Sequence, residues 1–137
     1  MATPPILLFS TDQQYYIDEL KRLYNGRVLI TPDGYTVKFF LNSDHDCLHA
    51  LNGKDKTNFN RLRCRHISYI EYVLMEFSIR VVRKNRSSTN ICFVSHSLKY
   101  AVICKVVRGK ELKFVTQIMG SENYINGFDD RSKYVYL

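Results

Sequence analysis

Tryptophan is absent from the 137 residues, and proline (three), cysteine (four) and glycine (six) are scarce. So little Pro and Gly excludes collagen-like and low-complexity classes, and so few Cys excludes a disulfide scaffold. No run approaches the roughly 18 consecutive apolar residues of a membrane span. The opening Met1-Ala-Thr-Pro-Pro5 lacks the basic n-region of a secretory signal. The expectation is a soluble, cytoplasmic protein with no membrane partner and with Cys47, Cys64, Cys92 and Cys104 reduced; Cys92 and Cys104 lie in apolar, strand-like runs where a thiol behaves as a small hydrophobe.

Motifs are missing too. Neither Cys-x-x-Cys nor His-Glu-x-x-His occurs, and there is no Gly-rich phosphate loop and no Gly-x-Ser-x-Gly elbow. These absences argue against nucleotide hydrolysis and serine chemistry. His45-Asp-Cys47-Leu-His49 and Cys64-Arg-His66 contain zinc-ligand residue types, but their spacings match no standard zinc module. No metal or cofactor is called for.

What is present is an ordinary folding composition, 45% hydrophobic and 24% charged, in a chain of single-domain size. At that length folding buries roughly 65 to 70% of the unfolded surface, enough for one core. The net charge of +7 is unevenly spread: residues 54–113 hold fourteen Lys/Arg against four Asp/Glu, while the segments on either side are slightly acidic. A basic field of this kind concentrates polyanions, which favours a nucleic acid, RNA first, or an acidic protein partner over a neutral metabolite. A basic face kept only for solubility is the bland alternative.

Periodicity predicts an α+β fold. A helix is expected over residues 12–24, capped by Ser10 or Thr11, with Tyr16, Ile17, Leu20, Leu23 and Tyr24 as its apolar stripe and Asn25-Gly26 as its stop. Residues 27–31 and 35–41 read as a hairpin around Pro32-Asp33-Gly34. A polar stretch over residues 42–60 follows, with a short helix at 44–51. Ser68-Tyr-Ile-Glu71 is a capping-box pattern opening a second helix to Glu76. Residues 78–84, 90–96, 100–107 and 112–119 then alternate as strands with short links, so they must be antiparallel neighbours. The expected architecture is an N-terminal helix and hairpin (1–41), then a helix packed on one face of a four-stranded antiparallel meander (45–119). A tail over 120–137 follows, whose Tyr134-Val-Tyr-Leu137 adds an edge strand.

The densest chemistry lies between His45 and His66, with His49, Lys54, Lys56, Arg61, Arg63 and Arg65 between them. RNA cleavage without a metal needs a base for the 2′-hydroxyl, fixed cations for the phosphorane and an acid for the leaving oxygen. Histidine suits either proton role and arginine suits the phosphate. The alternative is that the histidines pack or face solvent while the arginines bind phosphate without catalysis. His96, between Ser95 and Ser97 at a strand end, has no position without a sheet register.

The order His49, Gly53-Lys54, Phe59, Arg61, His66-Ile67, a helix, then a meander ending in Phe114-Val-Thr116 resembles the phage-associated nuclease-like domains grouped with barnase, the EndoU ribonucleases, colicin ribonucleases and RelE toxins. The resemblance covers residues 45–119. It implies a helix on a four-stranded antiparallel sheet and a metal-independent, toxin-like endoribonuclease. In that reading His49 transfers the proton, Lys54 and Arg61 clamp the phosphate, Thr116 contacts phosphate or base, and His66 is a second acid or base. Lys56, Arg63 and Arg65 would bind RNA. The rival expectation is a non-catalytic module that engages RNA, or a host nucleic-acid-handling protein, through the same basic face.

Overall fold

The first helix, α1 (Gln13–Tyr24), buries Tyr16, Leu20 and Tyr24, with Ile17 and Leu23 packed beside them. Its cap differs from the expected one. Asp12 accepts from the Gln14 amide at 3.0 Å, while the Ser10 hydroxyl accepts from the Asp12 amide instead. A carboxylate at that position also meets the positive end of the helix dipole. The computed structural model describes residues 2–41, 48, 61–84 and 88–137, and at residues 61, 62 and 84 the description is of the backbone. The short helix expected over 44–51 lies outside the described residues.

Two strands, β1 (Val28–Ile30) and β2 (Thr36–Lys38), form the expected hairpin, shorter than its sequence pattern. Gly34 adopts φ +92° in its turn, a conformation that side chains disfavour. Next come α2 (Arg61–Arg65), which periodicity did not reveal, and α3 (Tyr69–Glu76). The capping box at Ser68 does not form. Ser68 sits in helical conformation, and its hydroxyl donates to the Pro5 carbonyl at 2.8 Å, because helix α2 leads into α3 without an extended residue between them. Strands β3 (Ile79–Lys84), β4 (Thr89–Ser95), β5 (Tyr100–Arg108) and β6 (Glu111–Met119) follow as an antiparallel meander.

The four-stranded sheet of the sequence reading is corrected to a seven-stranded mixed sheet, in the order β1-β2-β6-β5-β4-β3-β7. The hairpin is not a separate appendage: β2 pairs parallel with β6, Val37 opposite Leu112. The intervening chain, residues 39–110, is far longer than the dozen or so residues that a parallel return requires. At the opposite edge β7 (Val135–Tyr136) pairs with β3, as the closing residues suggested.

Helices also occupy both faces rather than one. On the inner face Val37, Leu112, Phe114, Phe93, Val102 and Cys104 form one core with α1 and α3. On the outer face α4 (Glu122–Asn126) and the 3-10 turn Gly127–Asp129 set Ile125 and Phe128 over Val81, Cys92, Val94 and Ala101. The tail that read as polar thus carries two buried apolar anchors. Cys64, Cys92 and Cys104 are buried and unbridged, and burial pushes the Cys92 thiol up to about 12. Among the described residues no helix is long and apolar enough to cross a membrane.

The β1–β2 turn closes over the inner face toward β3. Arg80 of β3 lies 4.4 Å from the centre of the Tyr35 ring and 5.2 and 5.9 Å from those of Phe77 and Phe93, and it pairs with Asp33 at the turn. The Asp33 carboxyl sits below its ordinary value. Burial works against this, but hydrogen bonds from the Thr31 hydroxyl and Arg80 outweigh it. A lowered carboxyl stabilises the fold above its unfolded value and loses that contribution as pH falls through the folded one. Asp33→Asn should therefore narrow the loss of Tm on acidification below about pH 4, with an effect under about 1 kcal/mol because the carboxylate is 43% exposed. Leu112→Ala, at the seam between β2 and β6, should cost about 2 to 5 kcal/mol in urea unfolding; the exposed Val107→Ala should stay within about 0.5 kcal/mol.

Candidate nucleic-acid interface

Among the described residues, strand β6 has a strand neighbour on its β2 side only from Glu111 to Lys113. Beyond that the edge carbonyl of Gln117 needs another donor, and α2 provides it. Arg63 donates to Gln117 O from Nε at 3.0 Å and from Nη2 at 2.6 Å, and Nη2 also reaches Thr116 Oγ1 at 2.7 Å. Gln117 answers through Nε2, which donates to the Arg63 carbonyl at 3.1 Å, and its Oε1 accepts from Tyr100 at 2.5 Å. The geometry depends on a bulge. Phe114 pairs with Cys104 and Thr116 with Ile103, so Val115 is the extra residue. That one-residue shift leaves both Phe114 and Gln117 on the inner face.

The residues singled out in the sequence fall into three groups. His45, His49, Lys54 and Lys56 lie outside the described residues, as does the side chain of Arg61. Arg63 is 4% exposed and bonded to β6 as above, and His66 is 8% exposed with its ring edge-on to Tyr69 at 5.0 Å. Arg65 donates from Nε to the Leu7 carbonyl at 3.0 Å, and its own carbonyl accepts from the Leu7 amide at 2.8 Å, so it pins the N-terminal segment. Thr116 is half-buried on the outer face, its hydroxyl held by Arg63. Of the expected site residues the structure brings two distant ones together, Arg63 of α2 and Thr116 of β6, and Cys64, the next residue of α2, donates to the carbonyl of Leu48. His96 lies elsewhere, with Nδ1 2.6 Å from Ser78 Oγ and Nε2 3.0 Å from Asp129. Among the described residues no three His, Cys, Asp or Glu side chains gather as a metal site.

The sequence reading missed a different set of cations. Paired residues of a sheet share a face, and the registers align Lys38 with Lys113, Lys113 with Lys105, Lys105 with Asn90, and Asn90 with Arg83. This row crosses β2, β6, β5, β4 and β3 on the outer face. Lys105 and Arg83 are exposed, and Lys113 and Asn90 are half-buried. Lys38, 38% exposed, is partly neutralised by Glu111 at 2.7 Å. Hydrogen bonds from Lys38 and Arg108 hold the Glu111 carboxyl below its ordinary value, so it is ionised at neutral pH. Alternation along each strand was visible in the sequence, but the row exists only once four registers are known.

Comparisons with protein-family models, with curated proteins and with solved structures find no match for this chain. The geometry of Arg63 makes a prediction independent of any relative. Arg63→Met removes charge-assisted bonds to a buried carbonyl and should cost about 3 kcal/mol or more in urea unfolding, whereas Arg65→Met should cost about 1 kcal/mol. Unchanged stability for Arg63→Met would mean that the guanidinium serves a ligand and not the fold.

Proposed function

We propose that this chain is an RNA-binding domain that takes the phosphate backbone along the cationic row of its outer sheet face. The observation that carries the reading is the alignment of Lys38, Lys113, Lys105 and Arg83, with Asn90 among them, on the outer face. Four cations in register match a linear polyanion, and each phosphate contact releases counterions and contributes to affinity. The excess charge of residues 54–113 supports the same partner. Arg63 and Arg65, proposed from sequence as RNA contacts, hold internal carbonyls, which moves the weight from α2 to the sheet.

A second reading, metal-independent endoribonuclease action by 2′-hydroxyl attack, is favoured by one observation: α2 bonds Thr116 through Arg63 and Leu48, which precedes His49 in the sequence, through Cys64. In that reading His49 carries the proton and Lys54 and Arg61 hold the phosphate. An acidic protein partner fits the charge of the row but not the preference for a linear array.

The test is incubation of the purified protein with labelled total RNA in EDTA, beside Lys105→Ala, Lys113→Ala and His49→Ala variants, followed by filter retention and gel analysis. Salt-sensitive retention of intact RNA is expected, with log K falling linearly in log salt and each lysine variant lowering the slope by about 0.7 to 0.9. Fragments ending in cyclic phosphate, lost in His49→Ala, would install the endoribonuclease reading. Absence of retention by the wild-type protein at low salt would overturn RNA binding.

A further inference from the structure

The cationic row has two unlike sides. Toward the β5–β6 turn the neighbouring register row holds Thr36, Glu111 and Arg108, with the Glu111 carboxylate ion-paired to Lys38 at 2.7 Å and to Arg108 at 3.1 Å. An anionic backbone moving that way would meet the Glu111 carboxylate, beside cations already ion-paired to it. On the other side the register row runs Thr116, Ile103, Cys92 and Val81. The Ile125 and Phe128 anchors cover its Cys92 and Val81 end. Toward β2 two apolar residues are exposed: Val115 of the bulge is 39% exposed, and Phe40, two residues beyond Lys38, is 58% exposed while Phe39 is fully buried. Because β2 and β6 are parallel, Phe40 follows Lys38 in the direction in which Val115 follows Lys113. An exposed aromatic ring and an exposed valine therefore lie on the same flank of the cations.

Resting on the RNA-binding reading above, we infer that the outer face holds one unpaired RNA strand laid across the β-strands, its phosphates on Lys38, Lys113 and Lys105 and a base stacked on Phe40. Neighbouring strands stand about 4.8 Å apart, so the row from Lys38 to Arg83 spans about 19 Å. That is the length of about six stacked nucleotides, or fewer if the strand is extended. A duplex fits poorly. An RNA duplex keeps its bases stacked inside the helix, with a major groove too deep and narrow for side chains and a minor groove that shows base edges and 2′-hydroxyls but no ring faces. A single line of cations also meets one backbone and not two. An unpaired base, in contrast, offers its whole ring face to an aromatic side chain, whatever its identity. Arg83 closes the far end of the row with a planar guanidinium able to stack or to fork onto a phosphate.

Fluorescence anisotropy on the full chain tests this with a labelled octauridylate, a blunt duplex of the same length, an octathymidylate and unlabelled polyglutamate as competitor. The octauridylate is expected to bind at least ten-fold more tightly than the duplex. Phe40→Ala should weaken it about ten-fold without altering the salt slope, and Lys105→Ala should lower that slope by about 0.7. Equal affinity for duplex and single strand would overturn the single-strand assignment while leaving RNA binding intact. An unaffected Phe40→Ala would overturn the stacking contact. Equal binding of the octathymidylate would keep the unpaired strand and remove the preference for RNA. Failure to bind any oligonucleotide, or displacement by polyglutamate at equal charge, would instead overturn the underlying reading and point to an acidic protein.

Discussion

The reciprocal bonding of Arg63 with Gln117 is the constraint on which the rest of the molecule hangs. A strand that loses its neighbour halfway along its length leaves carbonyls facing the interior of the fold, and each would cost a desolvation penalty if left unmet. Among the described residues β6 is in that position past Lys113. The guanidinium of Arg63 provides a planar fork for the Gln117 carbonyl, and the Gln117 amide returns a bond to the helix that carries the arginine. Tyr100, fully buried on β5, completes the chain of donors by reaching Gln117 Oε1. The bulge at Val115 lets this happen, since without the extra residue Gln117 would turn to the opposite face.

From that interlock follows a division of labour among the basic residues. Arg63, Arg65 and Arg80 spend their donors or ring contacts on carbonyls, a carboxylate and aromatic faces within the fold. Lys38, Lys105, Lys113 and Arg83 stand on the outer face, where a charge remains hydrated and interacts at long range. Arginine suits the inner task because its donors are fixed in a plane, and lysine suits the outer one because its flexible stem follows an anionic ligand. The same excess of positive charge thus holds the sheet edge in place and forms a surface for a polyanion. The outer face is split likewise. Ile125 and Phe128 cover its apolar end, and the cationic row occupies the other end.

The elements were largely legible where a local pattern determines them. The α1 stripe, the hairpin around Gly34 and the four long strands all follow from residues within ten positions of one another. Where the reading failed, distant residues decided. α2 is five residues long, too short to show a period, and it is held by bonds to β6 more than fifty residues away. Ser68 has the pattern of a cap, yet the N-terminal segment takes its hydroxyl. α4 and the 3-10 turn carry only Ile125 and Phe128 as buried apolar residues, too few to mark a packed element in a polar tail.

By itself the sequence determined that this is an α+β chain with a basic middle and a meander of apolar strands, because composition, period-two alternation and turn residues act locally. It did not determine which of the many cations are inside and which are out, nor that the N-terminal hairpin joins the sheet through a parallel pair. Those outcomes depend on strand register and on where the pairing of β2 with β6 ends. A one-residue shift in register exchanges the two faces of a strand, so neither the cationic row nor the burial of Arg63 existed until the tertiary pairing chose it.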